Sequence, residues 1–312
     1  MIYLLVAIVV ALLLDHSFGE PRRFHPLVGF GRIAARVEAA LNRGDGRRVS
    51  GVIALAIMVL PLLLLATLLQ FWLWSLSPWI FAAVAAPLLC LVIARQSLGE
   101  HARAVLQALQ ANDLPLAREQ LARIVTRDTS QLDERGVSAA TVESVLENGS
   151  DAVTASLFWF ALLGLPGVVL HRAANTLDAM WGYRTERFRE FGWAAARFDD
   201  LLNFIPARLT AFSYALAGNT ATALRCWQAQ ARHWDSPNAG PVMAAGAGAL
   251  RLQLGGGAWY HGEWEERPPL GAGDLPQAND IERALRLLDR VLFLWIALLL
   301  IELLLGAVLW PH

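Results

Sequence analysis

The sequence contains no lysine, so all 26 of its basic residues are arginine. Schiff-base catalysis and a lysine-containing phosphate loop are therefore excluded, because each depends on a primary amine. Charged residues of all kinds make up only 17% of the 312 residues, against about 25% in an average soluble domain. Any bound anion must be held by arginine forks, backbone N–H groups or a metal.

Cysteine is also scarce: Cys90 lies inside an apolar run and Cys226 lies far from it in sequence. Two thiols placed in this way indicate neither a disulfide framework nor a zinc site. The formal net charge of −1 gives no reason to expect a nucleic acid as partner.

Apolar side chains are in excess, at 56% of the residues, and twelve tryptophans accompany them. Tryptophan favours membrane–water interfaces, so the composition predicts an integral membrane protein. The apolar spans are residues 1–14, 51–73, 79–94 and 291–310. A crossing needs about 20 apolar residues, so the first and third spans need their flanks. The fold class expected is all-α and polytopic, with about four spanning helices plus short membrane-embedded and amphipathic cytoplasmic helices.

Arginine placement sets the expected orientation. The loop 15–50 is rich in arginine, which predicts that it is cytoplasmic. The seven arginines of this loop are Arg22, Arg23, Arg32, Arg36, Arg43, Arg47 and Arg48. The N-terminal run lacks a basic region and a small-residue cleavage site, so we expect a retained anchor. We expect one membrane domain: N-terminal spans in 1–94, a catalytic helical region at 95–289 on the cytoplasmic side, and a last span at 290–312.

Several shorter segments have an expected structure. Residues 157–170 and 204–217 are too short to cross and each contains a proline, so we expect a helical pair that dips into or lies against the membrane. Amphipathic helices are expected at 99–110, 115–127 and 137–148, and no β-alternation is long enough to predict a strand.

A column of acids marks the third of these helices. Glu143, Glu147 and Asp151 recur every fourth residue, which stacks three carboxylates on one helix face beside Asn148. Like charges in a column repel, so either a metal or an arginine partner is expected to compensate them.

A second polar cluster occupies residues 175–203, between apolar segments. Asn175 and Asp178 share one helix face, and Asp199, Asp200 and Asn203 follow on another. Tyr183, Arg184 and Arg187 lie between them in sequence. Arginine forks suit phosphate, and carboxylates beside amides suit Mg²⁺, so the set predicts a polyanion site; the alternative is internal salt bridges between helices.

Several motifs resemble one known family. The segments VTRDTSQLDE, ATVESVLENGSDAV, RAANTLDAMWGYRTERFREFG, ARFDDLLNFIPARLTA and SPNAG are similar to those of the CobD/CbiB family, the adenosylcobinamide-phosphate synthases of the bacterial inner membrane. The resemblance covers residues 12–271. Two stretches depart from the family pattern: residues 151–156 lack its Gly and Pro, and Gly19-Glu20-Pro21 replaces Gly-Asp-Pro.

The resemblance implies an amide ligation. ATP activates a carboxylate of adenosylcobyric acid, and the amine of aminopropanol phosphate or ethanolamine phosphate attacks it, with Mg²⁺ screening the triphosphate. The implied partners are the corrinoid, the amino-alcohol phosphate and the lipid bilayer. The resemblance leaves open whether the chain forms a complex with other membrane enzymes of late cobalamin assembly, and whether it forms a homo-oligomer.

Site residues are expected to converge beside the lipid into one pocket open to the cytosol. The catalytic candidates are Glu143, Glu147, Asp151 and Asp178. The metal candidates are Glu147, Asp178, Asp199 and Asp200. The candidates for binding ATP and substrates are Arg127, Asp128, Asn148, Asn175, Tyr183, Arg184, Arg187, Asn203, Arg208 and Asn238.

Two rival functions stay open. A non-enzymatic membrane sensor related to this family would be expected to have an emptied acidic cluster. A prenyl-type transferase would use acidic helix motifs to hold magnesium pyrophosphate, but the chain has few spans to enclose a polyprenyl tail. The sequence leaves open which amino-alcohol phosphate is used and which carboxylate acts as base.

Overall fold

The computed structural model describes residues 2–20, 25–260 and 263–309, and these ranges are mostly helical. The α-helices are α1 Ile2–Phe18, α2 Pro26–Leu41, α3 Arg47–Leu76, α4 Pro78–Ile93, α5 Arg95–Gln110, α6 Leu114–Leu121, α7 Glu134–Asn148, α8 Ala155–Leu163, α9 Leu165–Trp181, α10 Trp193–Ala217, α11 Thr220–Gln230, α12 Ala239–Leu250 and α13 Ala278–Leu309. A π-helical segment, Gly149–Thr154, follows α7, and a short 3₁₀ turn, Ala231–His233, follows α11.

Two of the three predicted helices are confirmed, as α5 and α7, but only α5 is amphipathic, because α7 is buried on nearly all sides from Val137 to Leu146. The third was predicted too long, because α6 ends at Leu121 rather than at residue 127. The loop that follows folds back on the helix end: Arg118 donates to the carbonyl of Leu132 at 2.7 Å, and Thr129 donates to that of Arg118 at 3.1 Å. These bonds stabilise a turn where the sequence pattern predicted more helix.

Four short strands were not predicted. The strands β1 Gln253–Gly255 and β4 Pro269–Gly271 pair antiparallel, and β2 Ala258–Tyr260 pairs antiparallel with β3 Glu263–Glu265. Each strand has three residues, too few for alternation of apolar and polar side chains to be visible in the sequence.

Among the described residues, two helices are long and apolar enough to cross a membrane: α3, and the segment Pro78–Gln110 that contains α4 and α5. Large apolar side chains such as Leu64, Leu68 and Phe71 are exposed along α3, as expected of a face that contacts lipid. The four-span count and the orientation stay predictions. Three residues used for them, Arg22, Arg23 and Trp310, lie outside the described ranges, as does Pro21 of the Gly-Glu-Pro motif.

The chain divides into two compact units. The first unit comprises Met1–Ala94 and Ala155–Asn203, where α1 packs on α4 and α3 packs on α9. A core around Met58, Leu177, Trp181 and Phe191 joins α3 to α9 and to the residues that follow α9. The prediction of a single membrane domain stays a prediction.

Residues 157–170 fall on α8 and the start of α9, which a single residue separates. Gly164 has φ +71°, a conformation that side chains other than glycine rarely adopt. The side chain of Gln70 on α3 spans the break: it accepts from Leu165 N at 2.9 Å and donates to Leu163 O at 3.2 Å. Residues 204–217 form the second half of α10. Whether either segment enters the membrane stays a prediction.

The second unit comprises Arg95–Thr154 and Phe204–His312. Its central helix is α7, which packs against α5, α12 and α13. Helix α12 is buried along its whole length because its residues are small. At Gly246 a Cβ atom would lie 2.7 Å from the side chain of Leu146, so glycine permits this close approach to α7.

Candidate functional site

The predicted site residues fall into two groups, one in each unit. The first unit holds Asn175, Asp178, Tyr183, Arg184, Arg187, Asp199, Asp200 and Asn203. The second unit holds Arg127, Asp128, Glu143, Glu147, Asn148, Asp151, Arg208 and Asn238. Convergence of all sixteen residues into one pocket stays a prediction.

The first group centres on an acidic cluster, defined here as Asp178 of α9 with Asp199 and Asp200 of α10. Asp199 is buried, and Asp178 and Asp200 are partly buried. Asn203, one helical turn beyond Asp199, contacts Nε2 of the buried His171 through Oδ1 at 3.0 Å. This contact fixes the amide next to the carboxylates.

The three carboxylates of this cluster have raised pKa values, chiefly because they are buried. Burial, and then the negative charge of Asp200, raise the pKa of Asp178 to about 6. Burial, and then the charge of Asp178, raise the pKa of Asp199 to about 7, although the amides of Asn203 and Asn175 oppose part of this rise. Burial also raises the pKa of Asp200, against the opposing charges of Arg197 and Arg184. A cation bound here would relieve this repulsion.

The acidic cluster fits Mg²⁺ in one specific respect. Asp199 Oδ1 is buried and forms no hydrogen bond with a described residue, which leaves this one oxygen available to a cation. No three His, Cys, Asp or Glu side chains in the described part of the chain are arranged to hold a metal alone. Mg²⁺ is commonly held by one or two carboxylates together with water and substrate phosphates. This cluster can provide the carboxylates.

The loop between α9 and α10 carries the predicted phosphate-binding side chains of the first unit. Arg187 forms a two-point ion pair with Glu38 of α2, with Nε–Oε1 at 3.0 Å and Nη2–Oε2 at 2.6 Å. This pairing favours a structural role for Arg187, which holds the loop, rather than the predicted role of binding phosphate. Tyr183 is exposed, with its ring 6.5 Å from that of Phe188. Arg184 lowers the pKa of Asp200 and so remains close to the acidic cluster.

In the second unit, Glu143 of α7 is fully enclosed by donors. Its Oε2 accepts from Arg127 at 2.5 Å and from Arg267 at 3.2 Å, and its Oε1 accepts from the backbone N–H of Gly255 at 2.8 Å. Burial alone would raise the pKa of Glu143, but the two guanidiniums outweigh it and hold that pKa below the usual value. Glu143 therefore stays charged and positions the arginines; the geometry does not favour it as a base.

Glu147, one turn further along α7, lines a cavity of about 370 Å³. The cavity is also lined by Arg127, Asn148, Trp234 and Arg267. Burial, and then the charge of Glu143, raise the pKa of Glu147, against the opposing effect of the two arginines. Of the two glutamates in the predicted column, Glu147 is thus the one suited to accept a proton.

The remaining predicted residues of this unit have local roles. Asp128 is exposed and accepts from Ser130 N at 2.8 Å, which closes a turn. Asn148 donates to Ser144 O at 2.9 Å. Asp151 lies in the π-helical segment, where the wider turn takes it off the α-helical four-residue repeat. Arg208 donates to Asn238 Oδ1 at 3.1 Å, so these two predicted residues do meet.

Arg267 was missed by sequence reasoning, and Trp234 and the N–H of Gly255 were not among the predicted site residues. Arg267 lies 124 positions from Glu143 and stacks at 5.4 Å over the ring of Trp234. The sequence does offer one signal, since Arg267 is a cation beside an apolar turn in a chain with little charge. Its partner was not recognisable, because hairpin contacts over such a separation leave no periodic pattern.

The chain is similar in sequence to proteins of one known family. The family model described as CobD/Cbib protein matches residues 8–288. The chain is 59% identical over 297 residues to the cobalamin biosynthesis protein CobD of Stutzerimonas stutzeri, covering 95% of this chain and 96% of that one. It is 55% identical to the protein of that name from Chromobacterium violaceum (96% and 97% covered) and 41% identical to that from Mycobacterium tuberculosis H37Rv (92% and 91% covered). No solved structure matches. The chain belongs to the CobD/CbiB family of cobalamin biosynthesis proteins.

Proposed function

We propose that the chain is an adenosylcobinamide-phosphate synthase. It joins a carboxylate of adenosylcobyric acid to the amine of aminopropanol phosphate or ethanolamine phosphate, at the expense of ATP. It acts in the bacterial inner membrane with residues 95–289 facing the cytoplasm. The observation that carries this proposal, beside family membership, is the buried acidic cluster with its unsatisfied Asp199 Oδ1.

The reaction requires three kinds of group. A carboxylate and an ammonium ion do not form an amide spontaneously, so ATP must first attach a phosphorus leaving group to the carboxylate oxygen. The amine then forms the C–N bond, the C–O bond to that leaving group breaks, and the amine loses a proton. The protein must therefore bind phosphates, orient the two substrates and accept one proton.

We assign these groups to the two clusters, each described within its own unit. Asp178 and Asp199, supported by Asp200, would hold Mg²⁺, which when bound neutralises phosphate charge. Arg184 lies beside these acids and contributes a cation for phosphate. Glu147 accepts the proton of the amine, since burial raises its pKa and its side chain lines a cavity. Arg127 and Arg267, positioned by Glu143, bind anionic groups in that cavity.

The rival functions have less support. A sensor that had lost catalysis would have no reason to retain three neighbouring acids whose pKa values are raised chiefly by burial. A prenyl-type transferase would need helices enclosing a long apolar tail, and the described ranges hold two helices that pass the length and hydropathy requirements for a span.

Complementation tests the proposal. A bacterial strain that lacks its own synthase and is supplied with cobyric acid should grow only when the chain is expressed. The same membranes should form an amide product, detected by mass spectrometry, only with ATP, corrinoid and amino-alcohol phosphate together. Asp178→Asn and Asp199→Asn should each reduce the product at least about a hundredfold, as expected when a charge-stabilising group is lost.

A matched variant controls for expression. Asp45→Asn removes a carboxylate from the exposed loop before α3 and should leave growth and product formation unchanged. Loss of growth in all three variants would trace the effect to folding. If Asp178→Asn and Asp199→Asn both retain full activity at the control's membrane level, the acidic cluster is not part of the site and the proposal loses its structural support.

A further inference from the structure

The cavity in the second unit is lined by side chains of both charges. Arg127 and Arg267 contribute the positive charge, and Glu147, Glu265 and Glu266 the negative charge. Its volume of about 370 Å³ is at the small end of the roughly 300–1,000 Å³ range of ligand pockets. A cavity of this size and mixed charge indicates a small polar ligand.

The two arginines are held rigidly on one side. The side chains of both are only 12% exposed, and they share the single carboxylate of Glu143. Arg267 also donates to the carbonyl of Gly256 at 2.9 Å and stacks over Trp234. Two guanidiniums that share one carboxylate keep a net positive charge, which suits a doubly charged phosphate group.

Glu147 supplies the opposite charge. It lines the same cavity, and the charges of Arg127 and Arg267 act on its carboxylate. A triphosphate in the cavity would face the carboxylates of Glu147, Glu265 and Glu266 and be repelled. A simple amine would face the two guanidiniums. A molecule with a phosphate at one end and an ammonium at the other satisfies both sets of side chains.

We propose that this cavity binds the amino-alcohol phosphate, with its phosphate on Arg127 and Arg267 and its ammonium on Glu147. The inference rests on the proposed function and deepens it, because it assigns one of the two substrates to a defined cavity. It also assigns to Arg267 a binding role that the sequence analysis did not give it.

Calorimetric titration of the full chain in detergent, without ATP or corrinoid, tests this assignment. The probes are O-phosphoethanolamine, inorganic phosphate and ethanolamine. The wild-type chain should bind phosphoethanolamine about tenfold or more tightly than inorganic phosphate, since a charge-assisted contact to the ammonium is added. Glu147→Gln should remove this advantage and leave the affinity for inorganic phosphate unchanged or higher. Arg267→Gln should weaken both.

Two further variants complete the design. Glu147→Asp keeps the charge and should recover part of the preference for phosphoethanolamine, which a merely structural role of Glu147 would not do. Glu119→Gln, on an exposed ion pair with Arg123, should bind all probes as the wild type does. An unchanged melting temperature shows that Glu147→Gln is folded.

The outcomes separate the two proposals. Equal affinity of the wild type for phosphate and phosphoethanolamine, or an unchanged preference in Glu147→Gln, would overturn this inference even if the chain is an active ligase. Binding with the expected pattern in a chain that forms no amide would support the cavity assignment and count against the ligase.

Discussion

Arg267 in the segment between β3 and β4 forms an ion pair with Glu143 of α7, with Nη1–Oε2 at 3.2 Å. The backbone N–H of Gly255 donates to the same carboxylate. One buried side chain thus connects the hairpin region to the central helix of the second unit and orients both arginines of the cavity.

Replacing Glu143 with glutamine should destabilise the chain strongly. The variant leaves Arg127 and Arg267, both largely buried, without a counter-charge, and removing one partner of a buried ion pair costs about 3–5 kcal/mol. Thermal unfolding in detergent should show a large fall in melting temperature. Glu119→Gln, which breaks an exposed pair four residues apart, should change it little. Similar melting temperatures for the two variants would contradict the structural role of Glu143.

The acidic cluster should make stability depend on pH in the absence of metal. Asp178 and Asp199 have folded-state pKa values of about 6 and about 7, above the value of an unfolded aspartate. The folded chain therefore binds more protons than the unfolded chain in this range, and its stability falls as pH rises from about 4 through 7. Melting curves with EDTA at pH 4.5 to 8 should show this decline, and Asp199→Asn should flatten it.

Magnesium should reverse that decline. A divalent cation binds the ionised carboxylates, so added Mg²⁺ should raise the melting temperature of the wild type most at pH 8 and least at pH 5. The same addition should have little effect on Asp199→Asn. An equal Mg²⁺ effect at both pH values, or in both chains, would show that the ion binds elsewhere.

The ion pair of Glu38 and Arg187 should give stability the opposite dependence on pH. The hydrogen bonds from Arg187 outweigh burial and hold the pKa of Glu38 below its usual value. Its contribution to stability is present above the unfolded-state pKa of about 4.3 and is lost as pH falls through the lower folded value. Glu38→Gln should therefore lower the melting temperature at pH 7 but not at pH 3. Glu38→Gln should still form the amide at neutral pH, since this ion pair holds a loop. Loss of amide formation in a folded Glu38→Gln variant would instead support Arg187 as a phosphate ligand.

Gly164→Ala should destabilise the break between α8 and α9. At φ +71° an alanine is strained by about 1–3 kcal/mol, and its Cβ would lie 2.2 Å from Oε1 of Gln70. Gly29→Ala is the matched control: Gly29 lies in α2 with nothing within 4 Å of the added Cβ, so alanine should stabilise by about 0.5–1 kcal/mol. Chemical unfolding of both variants measures the two signs, and a stabilised Gly164→Ala would contradict the structure.

Local chemistry made part of the fold predictable. Asp133 precedes a helical pattern, and its carboxylate accepts from Gly136 N at 2.7 Å as the N-cap of α7. Glu143 in an apolar context predicted a compensating metal or arginine, and arginine is the partner found. Such inferences succeed because each depends on residues within about a turn of one another, or on the cost of a buried charge.

What could not be predicted depends on long-range geometry. The four-residue repeat from Glu143 to Asp151 assumed a continuous α-helix, and the π-helical segment after Asn148 ends that repeat. Three-residue strands carry no alternation, so the hairpins that deliver Arg267 and Gly255 were invisible to pattern reasoning. The pairing of Arg187 with Glu38 likewise joins positions 149 residues apart.

The attachment of Gly255 and Arg267 to Glu143 has a consequence for synthesis on the ribosome. Helix α7 emerges more than a hundred residues before Arg267, so during that interval Glu143 has only Arg127 of its two cationic partners. A nascent chain released before residue 267 would lack Arg267, one of the two arginines that line the cavity. Ligand binding there would therefore report that translation has passed the β2–β3 hairpin.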